Sequence, residues 1–298
     1  MPAVGSCIAI QSNQNDQHGG QSIPNFDYGM AIGVAKTYSK LYTKNLAKAA
    51  EILEDKPDLE EKFKEIKQKI AEETGVTPKL QASEEYCRLE APYLAEIVGE
   101  DAVEKLQKFA VKYSEKETDR ATYQAMEALV HNLNTMHSRA GAQVPFSSIN
   151  YGTDITPEGR MVIRNILLAE DAGLGNGETP IFPIHIFKVK EGVNYNEGDP
   201  NYDLFKLACR VSAKRLFPNF SFLDAPFHLP YYKPGDYNSE VAYMGCRTRV
   251  MANVYDPTRE VTCGRGNLSF TSINLPRIAI NAHGNVEWFF DVQTPDFQ

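Results

Sequence analysis

Five cysteines, at positions 7, 87, 209, 246 and 263, are the residues in this 298-residue sequence best suited to covalent or redox chemistry. They are widely spaced and include no Cys-x-x-Cys pair, so neither a local zinc site nor a dithiol motif is written into the sequence. Any chemistry must come from one thiol acting singly. Cys246 has the most telling surroundings. It stands between Gly245 and Arg247, after Pro234-Gly235-Asp236 and before a β-like run from Thr248 to Val254, which places it on a loop or strand end. Cys209 falls at helical spacing with Phe205 and Ser212 and reads as a small core residue. Cys263 precedes the flexible Gly264-Arg265-Gly266, where a thiol can be exposed, but no activating base is evident nearby.

Two chemistries suit a cysteine placed like Cys246. A nucleophile needs a thiolate and usually an imidazole base, and none of the six histidines is near it in sequence, although folding can bring one close. Hydrogen-atom abstraction by a thiyl radical needs instead a shielded site and a radical source. Local spacing does not choose between them. His185, in the apolar run Ile181 to Val189, reads as a structural histidine. The glycines at 173, 175 and 177 follow a helical pattern rather than opening one, so they read as a helix stop and not as a phosphate loop.

The elements that must position these residues follow from composition and periodicity. With 42% hydrophobic and 23% charged residues, the chain has the composition of a globular domain with a sizeable core. A net charge of -8 argues against a surface built to grip nucleic acid. No segment has the run of apolar residues that crosses a bilayer, and no secretion signal opens the sequence, so a cytoplasmic location with reduced thiols is expected. Gln17 to Pro24 reads as a turn between two elements. Helices are expected over Phe26 to Ile52, with Lys36, Lys40, Lys44 and Lys48 on a solvated stripe, over Asp58 to Glu73, and between Ser83 and Met136. Near residue 140 the charge density falls and short β-rich runs begin. Strands are expected at Val144 to Asn150, Ile181 to Val189 and Phe220 to Asp224, separated by helices after Thr156 and over Tyr202 to Leu216. Thr156-Pro157-Glu158 has the form of an N-cap followed by a first-turn proline and acid. That alternation predicts parallel pairing with right-handed crossovers. Asn267 to Ile280 reads as an irregular strand interrupted by Pro276.

Six ordered blocks carry a family resemblance: Gln11 to Gly20, Ser138 to Phe146, Gly177 to Pro183, Asp199 to Asp203, Met244-Gly245-Cys246-Arg247-Thr248, and Gly266 to Phe270. Together they resemble the signature blocks of anaerobic, glycyl-radical (class III) ribonucleoside-triphosphate reductases. The resemblance implies an α/β fold, part of a ten-stranded barrel made of two half-barrels, preceded by a helical region. Residues 1–140 would be the mainly helical dimer and effector region, and residues 141–298 a half-barrel whose finger loop carries Cys246. Cys246 matches the radical cysteine, which as a thiyl removes the 3′-hydrogen of the ribose. Asn267 matches an active-site asparagine of the formate-using members, where an amide that both donates and accepts suits a polar substrate or reductant. Cys7 stands too close to the Gln-His-Gly-Gly block to take the role of the family's second active-site cysteine.

The implied partners are a ribonucleoside triphosphate substrate, deoxynucleotide and ATP effectors, formate, a radical S-adenosylmethionine activating enzyme, and a second copy in a homodimer. Neither nucleic acid nor membrane is among them. No metal is expected in this chain, because the glycyl radical and a four-cysteine zinc site belong to a C-terminal part of the family that these residues do not include. The chain is therefore expected to be truncated and inactive alone, with unpaired strand edges. The alternatives are another glycyl-radical enzyme, formate-lyase-like, or a non-catalytic nucleotide-binding and dimerisation fragment.

Overall fold

In the computed structural model, which describes residues 2–16, 19–137, 144–245, 248–253, 255–259, 261–266 and 272–291, helices come first. Helix α1 (Pro2–Asp16) leads into a three-residue strand β1 (Gln21–Ile23), and four helices follow: α2 (Phe26–Glu54), α3 (Glu60–Thr74), α4 (Glu84–Val98) and α5 (Glu100–Thr135). Tyr38, Tyr42 and Leu46 recur at helical spacing along α2 and are buried against Phe63, Ile70, Tyr86, Leu94 and Leu106 from α3 to α5. Lys36, Lys40, Lys44 and Lys48 lie on the exposed side of α2, as their spacing predicts.

The chain then alternates: β2 (Ser147–Tyr151), α6 (Pro157–Ala172), β3 (Ile184–Val189), α7 (Tyr202–Arg215) and β4 (Asn219–Phe222). Thr156 caps α6 by accepting from the Gly159 N–H at 3.1 Å, with Pro157 in the first turn, and Gly173 ends the helix at φ 81°. The four strands form one sheet in the order β1-β2-β3-β4 with every pair parallel, as helical crossovers require. Register places Ser22 beside Ser148, Asn150 beside Ile186 and Lys188 beside Ser221. Alternation then sends Ile149, Tyr151, Phe187 and Val189 into the core with Val162, Ile166 and Leu167 of α6, Leu204 and Val211 of α7, and Leu129 and Leu133 of α5. That core draws on residues from both sides of position 140.

Beyond β4 the chain makes two short 3₁₀ turns, Leu229–Tyr231 and Tyr237–Ser239, and an antiparallel hairpin, β5 (Ala242–Met244) with β6 (Thr248–Val250). Residues Met1–Gly266 form one compact unit and Asn267–Gln298 a second. Within the second lie α8 (Leu275–Ala282) and α9 (Val286–Asp291).

Three expectations are corrected. The stretch read as a turn, Gln17 to Pro24, contains β1, which exists because Gln21 N–H donates to the Phe146 carbonyl at 2.9 Å and the strand pairs with β2. The tail read as an irregular strand is helical from Leu275: Asn274 caps it by accepting from Arg277 N–H at 2.9 Å, and Pro276 sits in the first turn, where no intrahelical donor is needed. Cys209 is exposed, not core, because α7 buries Leu204, Ala208, Val211 and Arg215, and Cys209 is turned out of that stripe.

Candidate active site

The face of the sheet turned away from the helices carries Ile184 and Ile186 of β3 and is otherwise largely polar. It carries Ser22 from β1, Ser148 and Asn150 from β2, Lys188 from β3 and Ser221 from β4, and the β5–β6 hairpin is bonded to it through Tyr243. Asn150, fully buried, holds Tyr243 twice. Its Oδ1 accepts from the Tyr243 N–H at 2.8 Å and its Nδ2 donates to the Tyr243 carbonyl at 2.9 Å. Ser22 Oγ donates to the same carbonyl at 2.8 Å.

A second attachment lies three residues earlier. Lys188, with no exposed surface, reaches Glu240 at 3.0 Å, and the same carboxylate oxygen accepts from Thr153 Oγ1 at 2.8 Å. Lys188 also donates to Asn25 Oδ1 at 3.0 Å. Asn25 occupies the N-cap position of α2 without capping it, so a side chain type that normally serves the helix is diverted to the buried lysine. Asp27 then locks the loop after β2: its Oδ2 accepts from the N–H groups of Gly152, Thr153 and Asp154 at 2.8, 3.1 and 3.1 Å. Gly152 has φ 129° and comes so close to β3 that a Cβ would lie 2.8 Å from the Lys188 carbonyl. A Cβ on Gly20, in the Gln-His-Gly-Gly block, would lie 2.7 Å from the Phe146 ring and 3.2 Å from Gly245 Cα, so the glycine admits Phe146 above all and the hairpin turn beside it.

Cys246 and Arg247, between Gly245 and Thr248, lie outside the described residues, and so does Asn267. The structure therefore describes the strands on either side of Cys246 and how β5 is held, while the two predicted catalytic side chains remain sequence assignments. A cavity of about 120 Å³ is lined by Gln21, Ser22, Tyr243 and Met244 together with Cys263 and Arg265. Cys263 is exposed there, as its flexible context allows.

His185 does not face the hairpin. It points into the core beneath the opposite face, with Nδ1 2.9 Å from the Tyr151 hydroxyl and Nε2 3.4 Å from a Glu170 carboxyl oxygen. Burial pushes Glu170 up to about 8 and His185 down to about 3, so at neutral pH a neutral acid stands beside a neutral imidazole rather than an ion pair. Cys7, on α1, and Cys87, on α4, have thiols raised above their ordinary value by burial, which makes them poor nucleophiles. Among the described residues no three His, Cys, Asp or Glu side chains are grouped as a metal site.

Sequence reading missed Ser22, Asn150, Lys188 and Glu240. The signal was present in two strands: Ser148 and Asn150 alternate with Ile149 and Tyr151, and a lysine interrupts the apolar run Ile184 to Val189.

Comparison with known proteins shows which sequences this chain resembles. Residues 3–294 match the family model described as anaerobic ribonucleoside-triphosphate reductase. The enzyme of that name from Escherichia coli strain K12 is 33% identical over 179 residues, covering 60% of this chain and 24% of that protein. The anaerobic ribonucleoside-triphosphate reductase of Enterobacteria phage T4 is 35% identical over 175 residues, covering 58% of this chain and 28% of the phage protein. The chain spans about a quarter of the length of the curated relatives it matches.

Proposed function

This chain belongs to the anaerobic ribonucleoside-triphosphate reductase family, and we propose that it supplies the radical-cysteine part of a reductase that converts ribonucleoside triphosphates to deoxyribonucleoside triphosphates. The observation that carries this reading is the β5–β6 hairpin, fixed on the polar face of a parallel sheet at the point where Met244-Gly245-Cys246-Arg247-Thr248 matches the family's radical-cysteine block. The four parallel strands are read as part of a ten-stranded barrel, with the hairpin as its finger loop and the polar face turned to the barrel interior. Residues 1–140 are read as the dimer and effector region, where a groove of about 500 Å³ lined by residues of α4 and α5 and the loop before α4 is large enough for a nucleotide.

In the proposed reaction the Cys246 sulfur, as a thiyl, takes the ribose 3′-hydrogen and becomes a thiol. The 2′-hydroxyl leaves as water, and the hydrogen returns to C3′ when the thiyl is restored. Formate balances the sum: ribonucleotide, formate and a proton give deoxyribonucleotide, carbon dioxide and water. A glycyl radical outside these residues supplies the first oxidation, and the radical S-adenosylmethionine activating enzyme generates it. Asn267 would orient formate or substrate through its amide. The cavity beside Tyr243 is far below nucleotide volume but admits a one-carbon acid, and the Arg265 guanidinium in its wall suits a carboxylate.

The experiment is anaerobic complementation. The purified chain is mixed with a C-terminal portion of a relative that carries the glycyl-radical and zinc sites, together with activating enzyme, ATP and formate. Deoxynucleotide formation that disappears with Cys246→Ala supports the reading. Turnover that persists in Cys246→Ala defeats it. Deoxynucleotide binding and dimerisation without turnover in any combination would favour the non-catalytic alternative.

A further inference from the structure

We propose that Asn150 is a positioning residue for the cysteine hairpin: its carboxamide takes the place of a neighbouring strand and sets where β5 lies on the sheet, and with it where the chain enters Cys246. The proposal rests on Cys246 being the radical cysteine, but the clamp itself is a matter of geometry. A strand beside Tyr243 would exchange two bonds with it, one from its N–H and one to its C=O. Asn150 supplies both, at 2.8 and 2.9 Å, from one side chain with no exposed surface. The amide's second N–H is 3.1 Å from Ser22 Oγ and 3.4 Å from the Ile23 carbonyl, so the plane of the carboxamide is fixed from the β1 side.

Few side chains can do this. The position needs one acceptor and one donor about a carbonyl width apart, and an apolar residue of the same shape offers neither. The Lys188–Glu240 pair ties down the chain only before β5 begins, and Ser22 at 2.8 Å and Ser148 at 3.5 Å reach the Tyr243 carbonyl alone. Asn150 meets both backbone polar groups of Tyr243 and so fixes the direction of the strand as well as one point on it. Tyr243 precedes Cys246 by three residues, so an error in its placement is passed to Met244 and Gly245, through which the chain leads to Cys246.

The isosteric Asn150→Asp variant makes the idea sharply testable. As a carboxylate, Asp only accepts, and one oxygen would face the Tyr243 carbonyl. As a carboxylic acid it has one donor and one acceptor and restores the pair. Ionisable groups on the surrounding elements are Asp27 of α2, Lys188 of β3, Glu240 ahead of β5, Tyr243 itself, Arg249 opposite it on β6, and Cys263 and Arg265 in the wall of the cavity beside Tyr243, while His185 lies beneath the other face. All of these are present in the wild-type chain, which measured at each pH is the reference.

The full chain is alkylated with iodoacetamide under native conditions, and modification at Cys246 is followed by mass spectrometry relative to the exposed Cys209. Hydrogen exchange is read on the peptide covering β5 and β6. Asn150→Ala should raise the Cys246-to-Cys209 ratio about tenfold and speed exchange in β5, while Ser22→Ala, which removes one of the bonds to Tyr243, should raise the ratio about twofold. Asn150→Asp should resemble the Ala variant at about pH 8 and return toward wild type only as the pH falls far enough to protonate the carboxyl, which burial at this position raises above the ordinary value of about 3.9. A folded Asn150→Ala chain with an unchanged or lowered ratio overturns the proposal. Should that variant fail to fold, Asn150→Asp decides: a folded Asp variant whose ratio stays at the wild-type value at about pH 8, where the carboxylate has no donor for the Tyr243 carbonyl, overturns the clamp just as surely. Failure here leaves the Cys246→Ala complementation result untouched, and failure of complementation leaves the alkylation result untouched, so the two readings fall separately.

Discussion

Phe187 and Lys188 are neighbours on β3, both without exposed surface, yet they sit on opposite faces of one sheet and are held by different physics. Phe187 packs among Tyr151, Phe205 and Phe220 at ring separations of 5.8 to 6.2 Å. Such packing is non-directional and indifferent to small shifts of its parts. Lys188 instead makes two charge-assisted bonds, to Glu240 and Asn25, and these work only within a narrow range of distance and angle. The comparison teaches that the helix-facing side makes the sheet stable, whereas the polar side makes the hairpin's place on it unique. A catalytic loop needs the second property more than the first.

Breaking the comparison most strongly means cutting at these two positions. Lys188→Met should cost about 3–5 kcal/mol in urea unfolding, because it strands a buried carboxylate, and adding Glu240→Leu should recover most of the loss. Phe187→Ala should cost a similar amount, about 3–5 kcal/mol, but no second substitution of a polar partner should restore it. If both losses, or neither, are recoverable, the two faces do not differ as described.

A smaller effect sharpens the exception on the apolar side, the Glu170–His185 pair. Glu170 binds its proton more tightly folded than unfolded, so its contribution to stability is lost as pH rises from about 4.5, and the loss is complete only above about 8. His185 works in the other sense: its folded value is about 3 against 6.5 unfolded, so stability falls as pH drops from 6.5 toward 3. Glu90, raised to about 7 by burial among Tyr42, Tyr86 and Gln107, adds to the alkaline loss at lower pH. Glu170→Gln should therefore flatten the decline in melting temperature between about pH 7 and 8 and leave the acid limb in place. Smallest of all, Lys36→Ala and Lys44→Ala on the exposed side of α2 should change unfolding stability by less than about 0.5 kcal/mol.

Where local chemistry decides the structure, the sequence was readable. Thr156-Pro157 starts α6 and Gly173 stops it, and the long apolar periodicity of α2 and α3 leaves little choice of element. Strand β1 was not readable, since Gln21-Ser22-Ile23 is short and polar and becomes a strand only when β2 is beside it. Pro276 misled because a proline that interrupts a strand is equally at home in the first turn of a helix. In the candidate site, Cys246 and Asn267 came from ordered family blocks and not from spacing. Ser22, Asn150, Lys188 and Glu240 were silent for the opposite reason: they act across 93 residues in the case of Asn150 with Tyr243, and 52 for Lys188 with Glu240. Contacts that distant leave no local pattern.

Helix α2 runs for 29 residues, roughly 40 Å of rigid rod. At its start, Asn25 grips Lys188 and Asp27 grips the loop at 152–154 that carries Thr153 to Glu240. Its other end is embedded in a different hydrophobic cluster, with Leu46, Ala49 and Ala50. Seen mechanically, α2 is a lever whose short arm carries the hairpin's fastening. A load applied among the helices that tilts this rod must be taken up at Lys188 and at the 152–154 loop, because the first turn is bonded to both.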